Sequence, residues 1–133
     1  MNPLYPAVAE RAERRCEYCR APEDVFNFPF EVEHLTPQAR GGSDSSDNLA
    51  LACHACNRFK SDYVTGIEPQ TGQEVALFRP RQDVWSVHFR AEAETAQMIG
   101  LTAVGRATIM RLQMNRPQQV RARLHWIQLN LYP

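Results

Sequence analysis

The sequence predicts a small α+β fold stapled by a structural metal site, and three observations carry that expectation. Four cysteines fall in two C-x2-C pairs, Cys16-Glu17-Tyr18-Cys19 and Cys53-His54-Ala55-Cys56, separated by 33 residues. Phe30-Glu31-Val32-Glu33-His34 alternates apolar and polar, the period of a half-buried strand. Val120, Leu124, Ile127 and Leu131 recur at helical spacing near the C-terminus. A chain of 133 residues suits one domain with a modest core, so residues 1–133 are expected to form a single unit, with a core at about 12–66 and a C-terminal extension at about 67–133.

Two C-x2-C turns can close a tetrahedral four-sulfur Zn2+ site. The expected ligands are Cys16, Cys19, Cys53 and Cys56, in a closed site that holds structure and does no chemistry. His54 lies inside the second turn and reads as a surface residue, since four sulfurs already complete the shell. Residues 1–15 contain no apolar leader segment, and no stretch reaches the roughly 20 apolar residues of a membrane span. The expected location is the cytoplasm, where disulfides are disfavoured.

The formal net charge is zero, but its distribution is uneven. All 15 acidic residues precede residue 96, and residues 96–133 carry five arginines. Fourteen of the 15 basic residues are arginine, the exception being Lys60. A basic C-terminal region fits either contact with a phosphate backbone or a solvated helix surface.

The segment enclosed by the cysteine pairs carries the chemistry. After the strand come Pro37, a turn-forming loop from Gly41 to Asp47, the extended Asn48-Leu49-Ala50-Leu51, the second cysteine pair and a short helix over Cys56–Asp62. Glu33-His34-x-x-Pro37, Gly41-Gly42, Asn48-Leu49 and Cys53-x-x-Cys56-Asn57-x-x-Lys60 together resemble the HNH endonuclease motif with flanking zinc knuckles, over about residues 16–62. The later stretches Leu77-Phe78-x-Pro80-Arg81, Trp85-x-x-His88-Phe89 and Gly100-Leu101-Thr102-x-x-Gly105-Arg106-Ala107-Thr108 are similar to the tail of a bacterial group of small HNH proteins.

The resemblance implies a ββα-metal core with C-terminal strands and two helices packed on it. It implies a metal-dependent endonuclease or nickase acting on the backbone of double-stranded DNA, as a monomer or dimer. His34 would be the general base, suited by an imidazole that titrates near neutrality. Glu33 and Asn57 would hold a catalytic Mg2+ or Mn2+, with Glu33 standing where many members carry Asp. Asn57, where some relatives have His, favours a hard cation. Asn48 is the candidate for orienting His34 by accepting from its second ring nitrogen. Arg58 and Lys60 are candidate phosphate contacts, and Glu31 reads as a solvent-facing strand residue. The alternative is a zinc-stabilised nucleic-acid-binding module that has lost catalysis.

The flanks read more simply. Pro6 precedes a helix expected over 7–15, and Glu74–Phe78, Trp85–Phe89 and Ala96–Leu101 read as strands. Thr102 is an N-cap for a helix to about Asn115, and Pro117 opens the last helix. His88 is expected to pack or hydrogen-bond rather than to catalyse.

Overall fold

The computed structural model describes residues 2–133. The first helix, α1 (Tyr5–Arg11), opens with Pro6 in its first turn. It ends earlier than the sequence predicts because Glu13 and Arg14 both adopt φ 55°, a left-handed reversal that turns the chain into the first cysteine pair.

Strands β1 (Glu31–His34) and β2 (Leu49–Ala52) pair antiparallel, with Glu31 opposite Ala52 and His34 opposite Leu49. All four β2 residues are buried, as a Leu-Ala-Leu-Ala run predicts. An outer strand edge so deeply buried needs partners for its polar groups. Arg11 donates to the Leu49 carbonyl at 2.5 Å. The Glu17 carboxylate accepts from the Leu51 N–H at 2.8 Å, while the Glu17 N–H donates to the Leu51 carbonyl at 2.8 Å.

Helix α2 (His54–Lys60) follows β2 directly, and its N-cap is the Cys53 thiol, which accepts from the Cys56 N–H at 3.5 Å. The second cysteine turn and the helix start are therefore one structure. Ser61, at φ 52°, terminates it.

The second half adds β3 (Thr65–Ile67) paired antiparallel with β4 (Glu74–Ala76), a single helical turn α3 (Trp85–His88), β5 (Phe89–Ala91) paired with β6 (Met98–Gly100), α4 (Ala103–Arg111) and α5 (Pro117–Gln128). Thr102 caps α4 by accepting from the Gly105 N–H at 3.0 Å, as the sequence predicts. Gly105 lies so close to α3 that a Cβ there would collide with the His88 carbonyl.

Two expectations are corrected here. Trp85–Phe89 reads as an alternating strand, yet residues 85–88 form a helical turn. Trp85 and Phe89 are also four apart, and that spacing places their rings 5.3 Å from each other on one side of the turn. The residues that α5 buries most deeply are Gln119, Arg123 and Trp126, whereas the apolar stripe of Val120, Leu124, Ile127 and Leu131 is half-buried, with Ile127 and Leu131 packed against the core. Arg123 is fully buried and donates to the carbonyls of Ala96 and Met114, both at 2.7 Å, tying α5 to the end of α4 and to the β5–β6 turn.

The β3–β4 turn is held to α4 by Glu68, a fully buried carboxylate that accepts from Arg106 Nη2 at 2.8 Å and from the N–H groups of Gln70 and Thr71. Burial pushes this carboxyl up, but the Arg106 guanidinium and the backbone donors outweigh it and leave it below its ordinary value of 4.5. A depressed carboxyl contributes stability above its unfolded pKa and loses it as pH falls through the folded one. Glu68→Gln should therefore melt below wild type at pH 7, and thermal melts from pH 7 to pH 3 should show the gap closing as acid neutralises Glu68 in the wild type. A gap constant across that range removes the charge from this role.

Candidate metal centre and hairpin site

The Sγ atoms of Cys16, Cys19, Cys53 and Cys56 lie within 4.8 Å of one another, and all four residues are buried. The Cys19 and Cys53 sulfurs are 3.8 Å apart. Zinc–thiolate bonds of about 2.3 Å give tetrahedron edges of about that length. The N–H groups of Cys19 and Cys56 point at Cys16 and Cys53 Sγ, each at 3.5 Å, and the Gln119 side chain donates to Cys19 Sγ at 3.5 Å. Donors aimed at sulfur suit thiolates better than thiols. The donor set and the closed, buried geometry are those of a structural zinc site.

Between the two cysteine pairs, β1 divides its side chains by alternation. Glu31 and Glu33 meet α2, whereas His34 faces the long loop that joins β1 to β2. His34 Nε2 lies 2.7 Å from Asp44 Oδ1. Asn48, expected to orient His34, instead ties the loop to itself. Its Oδ1 accepts from the Thr36 N–H at 2.9 Å, and its Nδ2 donates to the carbonyls of Thr36 at 3.1 Å and Ser43 at 2.8 Å. Gly42 packs against the Thr36 carbonyl where any Cβ would collide, and Gly41 takes φ 86°, so the Gly-Gly pair is dictated by the same turn.

On the α2 face, Glu33 is buried. Its Oε1 is 2.6 Å from Lys60 Nζ, and its Oε2 accepts from the Tyr18 hydroxyl at 2.8 Å. Burial raises its carboxyl above the ordinary range, and Lys60 and Tyr18 pull it back only in part. Lys60, expected at a phosphate, is buried with this acid and also donates to the Leu35 carbonyl at 3.3 Å. Arg58 is exposed.

The carboxylate that meets Asn57 is therefore Glu31's, not Glu33's. Glu31 Oε1 accepts from Asn57 Nδ2 at 3.1 Å, and Oε2 lies 3.2 Å from His54 Nδ1. Glu31 and Asn57 line a cleft of about 480 Å³ with Tyr5, Pro29, Phe30 and Val32. Among the described residues no hydrogen bond joins His34 to Glu33, Asn48 or Asn57, so the sequence-predicted residues divide into a loop group around His34 and a helix group around Glu31.

Asp44 is the residue that sequence reasoning passed over, and Glu31, read there as a solvent-facing strand residue, is partly exposed but also meets Asn57 and His54. Asp44 sits among turn-forming serines that hide it. Glu31 shares the strand period with Glu33, and alternation alone does not say which of the two is buried.

The C-terminal arginines are largely engaged within the protein. Arg106 pairs with Glu68, Arg111 stacks over Tyr63 at 3.8 Å, Arg116 lies over Phe59 at 5.3 Å, and Arg123 is buried.

Residues 16–62 match the family model of HNH endonucleases. The matched residues hold both cysteine pairs, β1, β2 and α2. No curated protein and no solved structure matches the chain.

Metal analysis of the purified protein should find one zinc per chain. Removing it with a chelator, or replacing Cys53 by Ser, should abolish the cooperative thermal transition, because binding energy at such a site is folding energy. A metal-free protein that melts as sharply as the zinc form contradicts a structural role.

Proposed function

We propose that the chain is a metal-dependent endonuclease that hydrolyses phosphodiester bonds of double-stranded DNA, with His34 as general base and a structural Zn2+ in the four-cysteine cluster. The observation that carries this reading is the His34–Asp44 pair at 2.7 Å within the segment that matches the nuclease family. The order β1, β2, α2 supports a ββα-metal core within one domain. No helix of the described residues is long and apolar enough to cross a membrane, and a four-cysteine cluster that binds metal rather than forming disulfides suits a reducing compartment such as the cytoplasm.

An ionised Asp44 accepts a hydrogen from Nε2 of His34. That fixes the tautomer and leaves the Nδ1 lone pair to take a proton from the attacking water. Asn48 serves this step indirectly, by holding the loop from which Asp44 projects. Arg58, exposed on α2, is the available phosphate contact on that helix.

The residues expected to hold a catalytic Mg2+ or Mn2+ fit only in part. Glu33 is buried with Oε1 against the Lys60 ammonium and Oε2 against the Tyr18 hydroxyl, so this acid already faces a cation and does not line the cleft. The Glu31 carboxylate and the Asn57 amide, at the open cleft, are the hard oxygen donors that suit such an ion. The ion, when bound, supplies positive charge to the phosphate oxygens. The engagement of Glu33 also favours a second reading, a zinc-stabilised nucleic-acid-binding module without catalysis.

A supercoiled-plasmid assay with Mg2+ and Mn2+ separates the two readings. Wild type should nick, and His34→Ala should lose about 100- to 10,000-fold in rate while keeping its zinc and its melting temperature. Binding that falls steeply with salt, without cleavage under either ion, supports the second reading. Calorimetric titration with Mn2+ tests the donors. Glu31→Gln should weaken binding at least about tenfold in an intact fold, whereas Glu33→Gln should lower the melting temperature. Weakened binding in a stable Glu33→Gln protein returns the ligand role to Glu33.

A further inference from the structure

Beyond the nuclease-matched segment, the geometry points to Arg79 as a positioning residue for the reaction proposed above. The inference rests on that reading. Arg79 lies 17 residues past the end of the matched segment, in the extension that follows β4. Its own N–H donates to Asp83 Oδ2 at 2.9 Å, which fixes the backbone at this point. From there the guanidinium reaches into the loop between β1 and β2. Nη1 donates to Thr36 Oγ1 at 3.2 Å and Nη2 to Asn48 Oδ1 at 3.3 Å.

The second of these contacts completes Asn48. With it, the amide oxygen accepts twice, from Thr36 and Arg79, and the amide nitrogen donates twice, to Thr36 and Ser43. That is the full capacity of a side-chain amide. A guanidinium is a donor only, so Arg79 also enforces which end of the amide faces it. The Asn48 bond to the Ser43 carbonyl sets the backbone just before Asp44, and Asp44 holds His34. A continuous hydrogen-bonded path thus runs from Arg79 through Asn48 and residues 43–44 to the imidazole.

The guanidinium has no carboxylate within ion-pair distance among the described residues, so its acceptors are the loop's neutral oxygens. The sequence signal is correspondingly faint: Arg79 is the unassigned position of the Leu77-Phe78-x-Pro80-Arg81 stretch. Arg79 touches neither His34 nor the cleft at Glu31. Its effect on the reaction is through the position of Asp44 and the tautomer of His34.

The test uses the full zinc-loaded chain with Arg79→Gln and Arg79→Lys. Two measurements are made: plasmid-nicking kinetics with Mn2+, and the ring-nitrogen NMR signals of His34 across pH 5 to 9. In wild type the signals should report hydrogen on Nε2. Arg79→Gln should lower kcat about 10- to 100-fold with KM within about twofold, and should move the His34 signals toward a mixture of tautomers. Arg79→Lys, which keeps a donor and the charge, should recover part of both effects. If Arg79→Gln loses the fold, Arg79→Lys alone carries both measurements, with smaller losses of the same sign expected, since one ammonium cannot reproduce both guanidinium contacts. His34 signals and kcat identical to wild type in the folded variant overturn the proposal. If wild type itself does not nick, the nuclease reading fails while the NMR arm still decides whether Arg79 sets the His34 tautomer.

Discussion

Cys16 and Cys19 meet Cys53 and Cys56 at one point, and that meeting constrains everything else in the chain. It closes a long loop whose interior contains little regular structure, only β1 and three short turns before β2. It also makes the first cysteine turn a dock for the rest of the molecule. Glu17 completes the edge of β2, Tyr18 accepts from the Trp85 indole through its carbonyl at 2.7 Å, and Cys19 accepts from the Tyr132 hydroxyl at 2.8 Å. Three consecutive residues thus hold β2, α3 and the C-terminus. A chain of this size with short two-stranded ribbons has little sheet cooperativity to rely on, and a four-cysteine cluster that can close on a metal is suited to supply the rigidity that long strands would otherwise give.

Around that turn the chain uses arginine as a bridge to neutral oxygens of separate segments. Arg11 spans Ser46 and Leu49, Arg15 reaches the Leu131 carbonyl at 2.9 Å, Arg79 spans Thr36 and Asn48, and Arg123 spans Ala96 and Met114. A planar fork of five donors can satisfy two chain segments at once where a lysine's point charge cannot. This accounts physically for a basic set that is almost wholly arginine. It also changes the meaning of the C-terminal charge excess, since four of its five arginines are engaged with the protein's own acid, rings or carbonyls. The single lysine stands where a compact ammonium suffices, against Glu33 and the Leu35 carbonyl.

Elements with a local chemical signature were legible in the sequence. The cysteine pairs, the Thr102 cap and Pro117 at the start of α5 each depend on a residue type whose physics is local. The β1–β2 hairpin was legible from alternation and its turn glycines. What escaped depended on partners far along the chain. Arg123 looks like a solvent-facing neighbour of an apolar stripe until Ala96, which sits at φ 61°, and Met114 turn their carbonyls toward it. The Trp85 segment satisfies both a strand and a helix period, and the indole's bond to Tyr18 and the Trp85–Phe89 ring contact go with the helical turn. His34 was legible as the end of β1, whereas its partner Asp44 depended on a loop conformation that Asn48 and Arg79 build from opposite directions.

The division of labour along β1 follows from the same physics. Alternation sends Glu33 beneath α2, where an unpaired carboxylate is untenable, so Lys60 and Tyr18 are drawn in with it. Breaking one partner of a buried pair costs about 3–5 kcal/mol, since the other charge is left uncompensated. A substitution at Glu33 therefore reduces activity through the fold whether or not that oxygen ever meets an ion, and activity alone misassigns it. Glu31, two residues earlier on the same face, sits at the rim of the cleft, where its hydrogen bonds to Asn57 and His54 remain open to solvent. The strand thus uses its inner acid to hold α2 in place and leaves its outer acid at the rim, against Asn57 and His54.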